Sequence, residues 1–223
     1  MIELENVAVS YGDRTLFECV SLSLEPGSFH FLTGPSGAGK TTLLKLCSME
    51  LGPTRGAVRL LGQDTSGVTR DRVAELRQRI GVVHQDSRFV DHLSVADNIS
   101  LPLAVAGRPV VGEQVTELLG WVGLTRQAEQ RPPELSGGER QRAALARAVI
   151  LSPEIVLADE PTGNVDWDMS LKLLDLLTEL NRLGKTILCA THDLNLIRQA
   201  KSRISARVLR IRDGRIAAAG AGL

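Results

Sequence analysis

Nine consecutive residues near the start of the chain have the composition of a loop that binds phosphate groups. They fit the spacing G-x-x-x-x-G-K-[ST] and are Gly34, Pro35, Ser36, Gly37, Ala38, Gly39, Lys40, Thr41 and Thr42. Residues 28–33 are typical of a buried strand, and residues 40–48 have helical spacing. Glycines at such a turn let backbone N–H groups approach a polyphosphate, which the helix dipole also attracts. We therefore expect Lys40 to contact the β- and γ-phosphates of a nucleotide and the Thr41 hydroxyl to bind Mg²⁺.

Two adjacent carboxylates, Asp159 and Glu160, follow an apolar run at residues 155–158. The run predicts a buried strand, and two acids at its end are costly unless a cation or a proton transfer uses them. With a phosphate loop upstream, we expect Asp159 to hold Mg²⁺ through water. Glu160 is expected to orient and deprotonate the water that attacks the γ-phosphate.

Gln85 and His192 end two further predicted strands, at residues 80–84 and 186–190. Open α/β sheets place their ligands at the carboxyl ends of the strands, so both side chains are candidates for the same edge. Gln85 is expected to touch Mg²⁺ or the attacking water, and His192 to hydrogen-bond the γ-phosphate oxygens. Taken alone, each residue is also compatible with a structural role.

A second candidate anion site begins the alanine-rich helix that runs to about Leu151. Ser136 and Glu139 form a capping-box pattern, which specifies the helix start. Gly137 and Gly138 in the first turn each cost about 1 kcal/mol against alanine, so we expect something to approach the backbone there. A phosphate is the natural candidate. The phosphate loop already binds a phosphate at the start of its own helix. This second anion site therefore predicts another nucleotide or another copy of the chain.

The rest of the chain supplies the elements that position these residues. Residues 2–10 predict a half-buried strand, and Tyr11 at its end either stacks on an adenine ring or simply packs. Residues 87–131 change to a helical pattern, which predicts an inserted lobe. The side chains at the start of this lobe form either a groove for a partner's helix or internal packing. They are Phe89, Val90, His92 and Leu93. Residues 203–219 predict a hairpin.

Composition narrows the classes of protein. A length of 223 residues suits one α/β unit with an inserted lobe. The zero net charge and 3% aromatic content argue against a nucleic-acid partner. The three cysteines lie in apolar segments without metal-ligand spacing, which suits reduced core thiols. The sequence shows neither a leader pattern nor an apolar run of about 18 residues, so another chain is expected to hold the protein at any membrane.

Together these motifs resemble the nucleotide-binding subunits of ABC transporters over essentially the whole chain. The specific element is the run Leu-Ser-Gly-Gly-Glu at residues 135–139, which other phosphate-loop ATPases lack. The resemblance implies a single domain with a RecA-like core, an N-terminal antiparallel β-subdomain and an inserted α-helical subdomain. The core lobe would comprise residues 1–86 and 146–223, and the helical subdomain about residues 87–145.

The resemblance also implies roles for individual residues. Tyr11 would stack on adenine, and Gln85 would link the γ-phosphate and Mg²⁺ to the helical lobe. Asp166 would line the dimer interface, and His192 would be the switch histidine. The residues that close on the ATP of a second subunit would be Ser136, Gly137, Gly138 and Glu139.

Within that family, several details resemble the ATPases of the bacterial cell-division FtsEX complex. They include the runs at residues 31–40, 95–98, 101–103, 161–164 and 190–193. This likeness implies a homodimer on the cytoplasmic face of the inner membrane, bound to a transmembrane partner resembling FtsX that controls peptidoglycan hydrolases. An ATPase of a lipoprotein-release or macrolide-type exporter is the alternative. A soluble ABC protein acting on nucleic acid or ribosomes is disfavoured by the neutral charge.

Overall fold

The computed structural model describes residues 1–163 and 165–218, which contain ten strands and seven α-helices. The strands are β1 (Ile2–Tyr11), β2 (Arg14–Leu24), β3 (Phe29–Thr33), β4 (Arg55–Leu60), β5 (Gln63–Asp64), β6 (Ile80–Val83), β7 (Ile155–Asp159), β8 (Thr186–Ala190), β9 (Ala206–Arg212) and β10 (Arg215–Ala218). The helices are α1 (Lys40–Cys47), α2 (Arg70–Gln78), α3 (Val95–Val105), α4 (Gly112–Trp121), α5 (Gly137–Val149), α6 (Trp167–Arg182) and α7 (Leu194–Lys201). None of these helices within the described ranges is both long and apolar enough to cross a bilayer. Asn164, the last residue of the run at residues 161–164, and Ala219, at the end of the predicted hairpin, lie outside the described residues.

A six-stranded sheet forms the core in the order β10-β9-β3-β8-β7-β6. The strands from β9 to β6 run parallel to their neighbours, and β10 pairs antiparallel with β9 as the hairpin pattern predicts. Strands β3, β7 and β8 are buried along their whole length, which accounts for their largely apolar sequences. Because these strands are parallel, the residues that follow β3, β6, β7 and β8 meet at one edge of the sheet.

A separate antiparallel sheet, in the order β2-β1-β4-β5, carries the N-terminal segment. Phe17 and Val20 of β2 are both buried although they are three residues apart, because the pairing with β1 shifts register between them. This shift leaves both Glu18 and Cys19 exposed. The expectation that all three cysteines are core thiols is therefore wrong for Cys19, whose Sγ donates to Asn6 Oδ1 at 3.3 Å. Cys47 is buried, and burial raises the pKa of its thiol to about 12.

Helix α5 lies between two apolar clusters. Ala144, Leu145 and Val149 contribute to the cluster on the core sheet. Ala143, Ala146 and Ile150 contribute to the cluster formed with α3 and α4. The division into a core lobe and a helical subdomain about residues 87–145 stays a prediction, and α5 runs across its second boundary.

Phe89, in the loop between β6 and α3, packs inside the protein and does not line a groove for a partner's helix. Its half-buried ring packs against both apolar clusters and is therefore part of the internal packing. Val90 is fixed by Asn98 on α3, whose side chain binds both the N–H and the carbonyl of Val90, at 2.8 and 3.0 Å. His92 remains exposed, and Leu93 is half-buried.

Candidate nucleotide site

The predicted phosphate loop lies between β3 and α1, and its glycines have conformations that side chains would oppose. Gly37 has φ of 76° and Gly39, the N-cap residue of α1, has φ of 105°. A Cβ atom on Gly39 would lie 2.6 Å from Cζ of Phe17, a fully buried side chain of β2. The loop is thus held closely against the antiparallel sheet, and its curvature requires glycine.

Lys40 and Glu160 face each other across the loop. Lys40 Nζ donates to the carbonyl of Gly34 at 3.0 Å and lies 3.6 Å from Glu160 Oε1, with both side chains 11% exposed. The other carboxylate oxygen of Glu160 lies 2.9 Å from Nδ1 of His192. Glu160 is therefore positioned between a cation and an imidazole at the edge of the sheet.

The backbone of Glu160 is unusual. Its φ of 46° lies in the left-handed region, which costs a non-glycine residue about 1–3 kcal/mol. Its N–H donates to the carbonyl of Ala190 at 2.9 Å, so β8 holds the residue in this conformation. The chain turns immediately after this residue, and the carbonyl of Glu160 accepts from the N–H of Gly163 at 3.0 Å.

A cavity of 390 Å³ opens beside the loop. It is lined by Leu16, Ser36, Gly37, Gly39, Lys40, Thr41, Thr42, Gln85, Asp159, Glu160, Gly163 and His192. The four predicted catalytic side chains and the three predicted metal ligands thus share one cavity, whose volume is within the range of small-molecule sites. Gly34 and Pro35 line a neighbouring cavity, and Ala38 packs against the core.

The predicted metal ligands present the oxygen atoms that Mg²⁺ prefers. Asp159 is 7% exposed, and its Oδ1 is buried without a hydrogen-bond partner among the described residues. Thr41 and Gln85 line the same cavity. Burial, and then the charges of Glu160 and Asp159, raise the pKa of the Cys189 thiol, which stays neutral beside these carboxylates. An unpartnered carboxylate oxygen in this position fits a divalent cation.

The capping box at the start of α5 is present as the sequence predicts. The Ser136 hydroxyl accepts from the Glu139 N–H at 3.3 Å and donates to Glu139 Oε2 at 2.7 Å. The backbone and then the side-chain hydrogen bond of Ser136 lower the pKa of Glu139. Within residues 1–163 and 165–218, neither these two residues nor Gly137 and Gly138 line the cavity at the phosphate loop. Their expected contact with a second nucleotide stays a prediction.

A contact within the chain itself explains why position 138 is a glycine. A Cβ atom at this position would lie 2.8 Å from Cγ of Met169 on α6. The close approach that the paired glycines predict is thus made at Gly138 by a methionine side chain. This contact explains Gly138 without a phosphate at the helix start, so the phosphate site needs separate evidence.

In the part of the chain that the structure describes, Tyr11 and Asp166 are not among the residues that line the cavity. Tyr11 ends β1 with 52% of its surface exposed, so its ring is free to meet a ligand. Asp166 is the N-cap of α6, and its Oδ1 accepts from the N–H of Met169 at 2.8 Å. The capping function explains an aspartate there, and its interface role stays a prediction.

Several residues of the site were not predicted from the sequence. Leu16 and Gly163 line the cavity, and Phe17 supports Gly39. Gln141 on α5 donates from Nε2 to the backbone carbonyl of Gln85 at 3.2 Å. The position of Gln141 two residues beyond the capping box was the available signal, but only packing shows what its side chain contacts.

Comparisons with known proteins agree with this geometry. A family model described as ABC transporter matches residues 17–163. The cell division ATP-binding protein FtsE of Escherichia coli is 43% identical over 220 residues, covering 97% of each chain. The FtsE protein of Bacillus subtilis is 38% identical, covering 92% of each chain.

A solved structure shows the same fold. The dimeric ATP-binding cassette MJ0796, in a post-hydrolysis state bound to ADP and Pi, superimposes with a TM-score of 0.87 at 32% identity, over 97% of this chain and 96% of that one. This likeness confirms the expected α/β fold class. With one family model spanning most of the chain and relatives matching nearly all of it, the chain belongs to the ABC transporter family of ATP-binding proteins.

Proposed function

We propose that the protein is the ATP-hydrolysing subunit of a membrane complex in bacterial cell division, resembling FtsEX. The observation that carries the ATPase activity is the placement of Glu160 between Lys40 and His192, in one cavity with the phosphate loop. The relatives whose names include ATP binding and cell division support the biological role. They favour it over the export alternative.

In the proposed reaction, the loop amides, Ser36 and Thr42 hold the triphosphate, and Lys40 leaves Glu160 to bind its β- and γ-oxygens. Thr41, Gln85 and, through water, Asp159 would hold Mg²⁺, which would supply positive charge beside the phosphates. Glu160, released from Lys40, orients and deprotonates the attacking water, while His192 donates to the γ-phosphate. Tyr11 stacks on the adenine.

The site is completed by a second copy of the chain. Among the described residues, Ser136 and the first turn of α5 do not line the chain's own cavity, and they would close on the ATP of the partner. The dimeric state of the related cassette bound to ADP and Pi supports this arrangement. ATP then joins two subunits, with Asp166 at their interface, and hydrolysis releases them.

The membrane role rests on the FtsE relatives. The protein is proposed to bind the cytoplasmic face of the bacterial inner membrane through a transmembrane partner resembling FtsX. Opening and closing of the dimer would be transmitted to peptidoglycan hydrolases. Copurification with that partner and filamentation on depletion would support this role, whereas normal division of depleted cells would refute it.

The decisive test of the nucleotide site is Lys40→Ala, with Lys45→Ala as the matched control on the same helix. Loss of a charge-assisted hydrogen bond is expected to raise the dissociation constant for ATP about 10-fold to 100-fold. Lys45 lies in the last turn of α1 and is exposed, so its removal should leave binding unchanged. Titration with ATP by calorimetry measures both, and equal affinities for the two variants would refute the site.

A further inference from the structure

An exposed tryptophan lies between two aspartates at the start of α6. Trp167 is 42% exposed, and its neighbours Asp166 and Asp168 are exposed as well. Asp166 caps the helix, whereas Asp168 forms no ion pair within residues 1–163 and 165–218. A tryptophan ring buries a large apolar area when a partner covers it, and tryptophan is enriched among the residues that dominate binding at protein interfaces. The first turn of α6 is therefore a candidate contact surface.

The first turn of α6 lies against the first turn of α5. A Cβ atom on Gly138 would lie 2.8 Å from Cγ of Met169, and Arg142 Nη1 donates to Met169 Sδ at 3.3 Å. Trp167 is only two residues before Met169 in the same helix. In the proposed dimer the start of α5 meets the phosphate loop of a second copy, so Trp167 approaches the surface around that loop.

A second cavity, of 320 Å³, lies beside the phosphate loop, and we call it the hairpin cavity because β9 forms one wall. His192 lines both this cavity and the nucleotide cavity, so the two are adjacent. Pro35 and Leu194 give the hairpin cavity an apolar side, and Leu194 is 42% exposed. Arg210 and Arg212 of β9 line it as well. The cavity thus combines apolar surface with two guanidinium groups.

The hairpin cavity has an excess of positive charge. Arg212 pairs in register with Arg215 on β10, and like charges opposite each other destabilise a strand pair. Arg212 lies 3.4 Å from Asp213, but these side chains are 82% and 88% exposed, so that pair contributes little. In the part of the chain that the structure describes, Arg210 and Arg215 form no ion pair. A partner that brings a carboxylate to this cavity would relieve the repulsion.

The start of α6 complements the hairpin cavity. The ring of Trp167 suits an apolar wall beside arginines, because a guanidinium over an indole face forms a cation–π contact. Asp168 offers the carboxylate that Arg210 lacks. Within its own chain, Trp167 borders a different cavity, along α7 with Asn195 and Arg198. Two copies related by a two-fold axis would form the contact twice, once in each direction.

We propose that the hairpin cavity binds Trp167 and Asp168 of a second copy of the chain. The contact increases the affinity of the two copies for each other, and it lies outside the nucleotide cavity. The inference rests on the proposed function, because it requires the ATP-loaded dimer. It assigns a partner to an exposed tryptophan and a basic cavity that ATP hydrolysis does not use.

The test measures the dissociation constant of the ATP-loaded dimer by analytical ultracentrifugation at saturating ATP. Glu160→Gln is the background, because this variant is expected to retain ATP. In this background, Trp167→Ala should raise the dissociation constant about 10-fold to 100-fold, since each dimer contains the contact twice. Leu183→Ala is the matched control, because Leu183 is the C-cap of the same helix and is 74% exposed. Its dimer should be as tight as that of the background.

Mixing two variants tests whether the contact is made between copies. In a mixed dimer of Trp167→Ala and Arg210→Asp subunits, one contact is defective on both sides and the other is intact. The mixed dimer should therefore be tighter than the Trp167→Ala homodimer by about threefold to tenfold, and tighter than the Arg210→Asp homodimer as well. Structural roles within each chain would instead give a mixed dimer of intermediate affinity.

Tryptophan fluorescence reports the burial of Trp167 directly. The chain has two tryptophans, so the difference between the background and its Trp167→Phe variant isolates the signal of Trp167. Acrylamide quenching of that signal should fall when ATP is added at concentrations that form the dimer. Unchanged quenching in the dimer would overturn the inference.

Two results of the affinity measurements would also overturn it. They are equal dissociation constants for Trp167→Ala and Leu183→Ala, and a mixed dimer of intermediate affinity. If the Glu160→Gln background stays monomeric with ATP at every concentration, the proposed function fails first and the inference fails with it.

Discussion

Replacing Glu160 with glutamine separates catalysis from binding. The amide keeps the shape of the side chain but cannot take a proton from water, so kcat is expected to fall about 10²- to 10⁴-fold. In the free protein the change also removes the pair with Lys40 at 3.6 Å, where both side chains are 11% exposed. Loss of that ion pair, which at 3.6 Å is too long for a hydrogen bond, should lower the free energy of unfolding by about 1 kcal/mol. Lys40 no longer has to leave a carboxylate, so the dissociation constant for ATP should not rise.

Glu154→Gln is the matched control, because Glu154 precedes the same strand that Glu160 follows. It pairs with Arg79 at 2.6 Å, where the side chains are 42% and 43% exposed. That surface pair contributes about 0–1 kcal/mol, and its loss should leave kcat unchanged. Phosphate release under saturating ATP and light scattering of the ATP-loaded protein measure turnover and dimer accumulation. A Glu160→Gln enzyme with wild-type turnover would refute the assignment of Glu160 as the base.

Two further predictions concern the second-subunit contact and a buried histidine. Ser136→Arg should abolish hydrolysis while ATP binding by the monomer stays nearly intact; lost binding in equilibrium titration would contradict the contact in trans. Burial and then Arg207 lower the pKa of His30 to about 4 from 6.5, so the unfolded chain binds the extra proton between these values. Stability should therefore fall by up to about 3 kcal/mol from pH 6.5 to 4. His92→Gln, at an exposed histidine, is the control. Denaturant unfolding should show this loss of stability in His92→Gln but not in His30→Leu, and parallel pH profiles of the two variants would contradict the assignment to His30.

The edge of the core sheet was predictable because it follows from local patterns. Gln85, Asp159, Glu160 and His192 each come after a short apolar run, and parallel strands bring such ends together. The phosphate loop was predictable as well, because its glycine spacing is a local pattern typical of a turn between a strand and a helix. These features depend on the order of residues along the chain and on one general rule of sheet topology.

Contacts between distant residues were not predictable in this way. The approach of Gly39 to Phe17 and the bond from Gln141 to Gln85 depend on how separate elements pack. Gly138 shows the limit of composition arguments, since its neighbour Met169 belongs to another helix. The exposure of Cys19, two residues from buried Phe17, depends on the register shift between β1 and β2, which the sequence pattern did not reveal.

The two-sided packing of α5 bears on how the protein can be dissected. Removing the segment from α3 to α4 would expose one flank of α5, whereas ending the chain before α5 would open both clusters at once. A helical lobe excised without Gly137–Val149 would lose the helix against which its apolar cluster packs. Exchange of this lobe between related ATPases should therefore include α5, so that both of its apolar surfaces keep partners of matching shape.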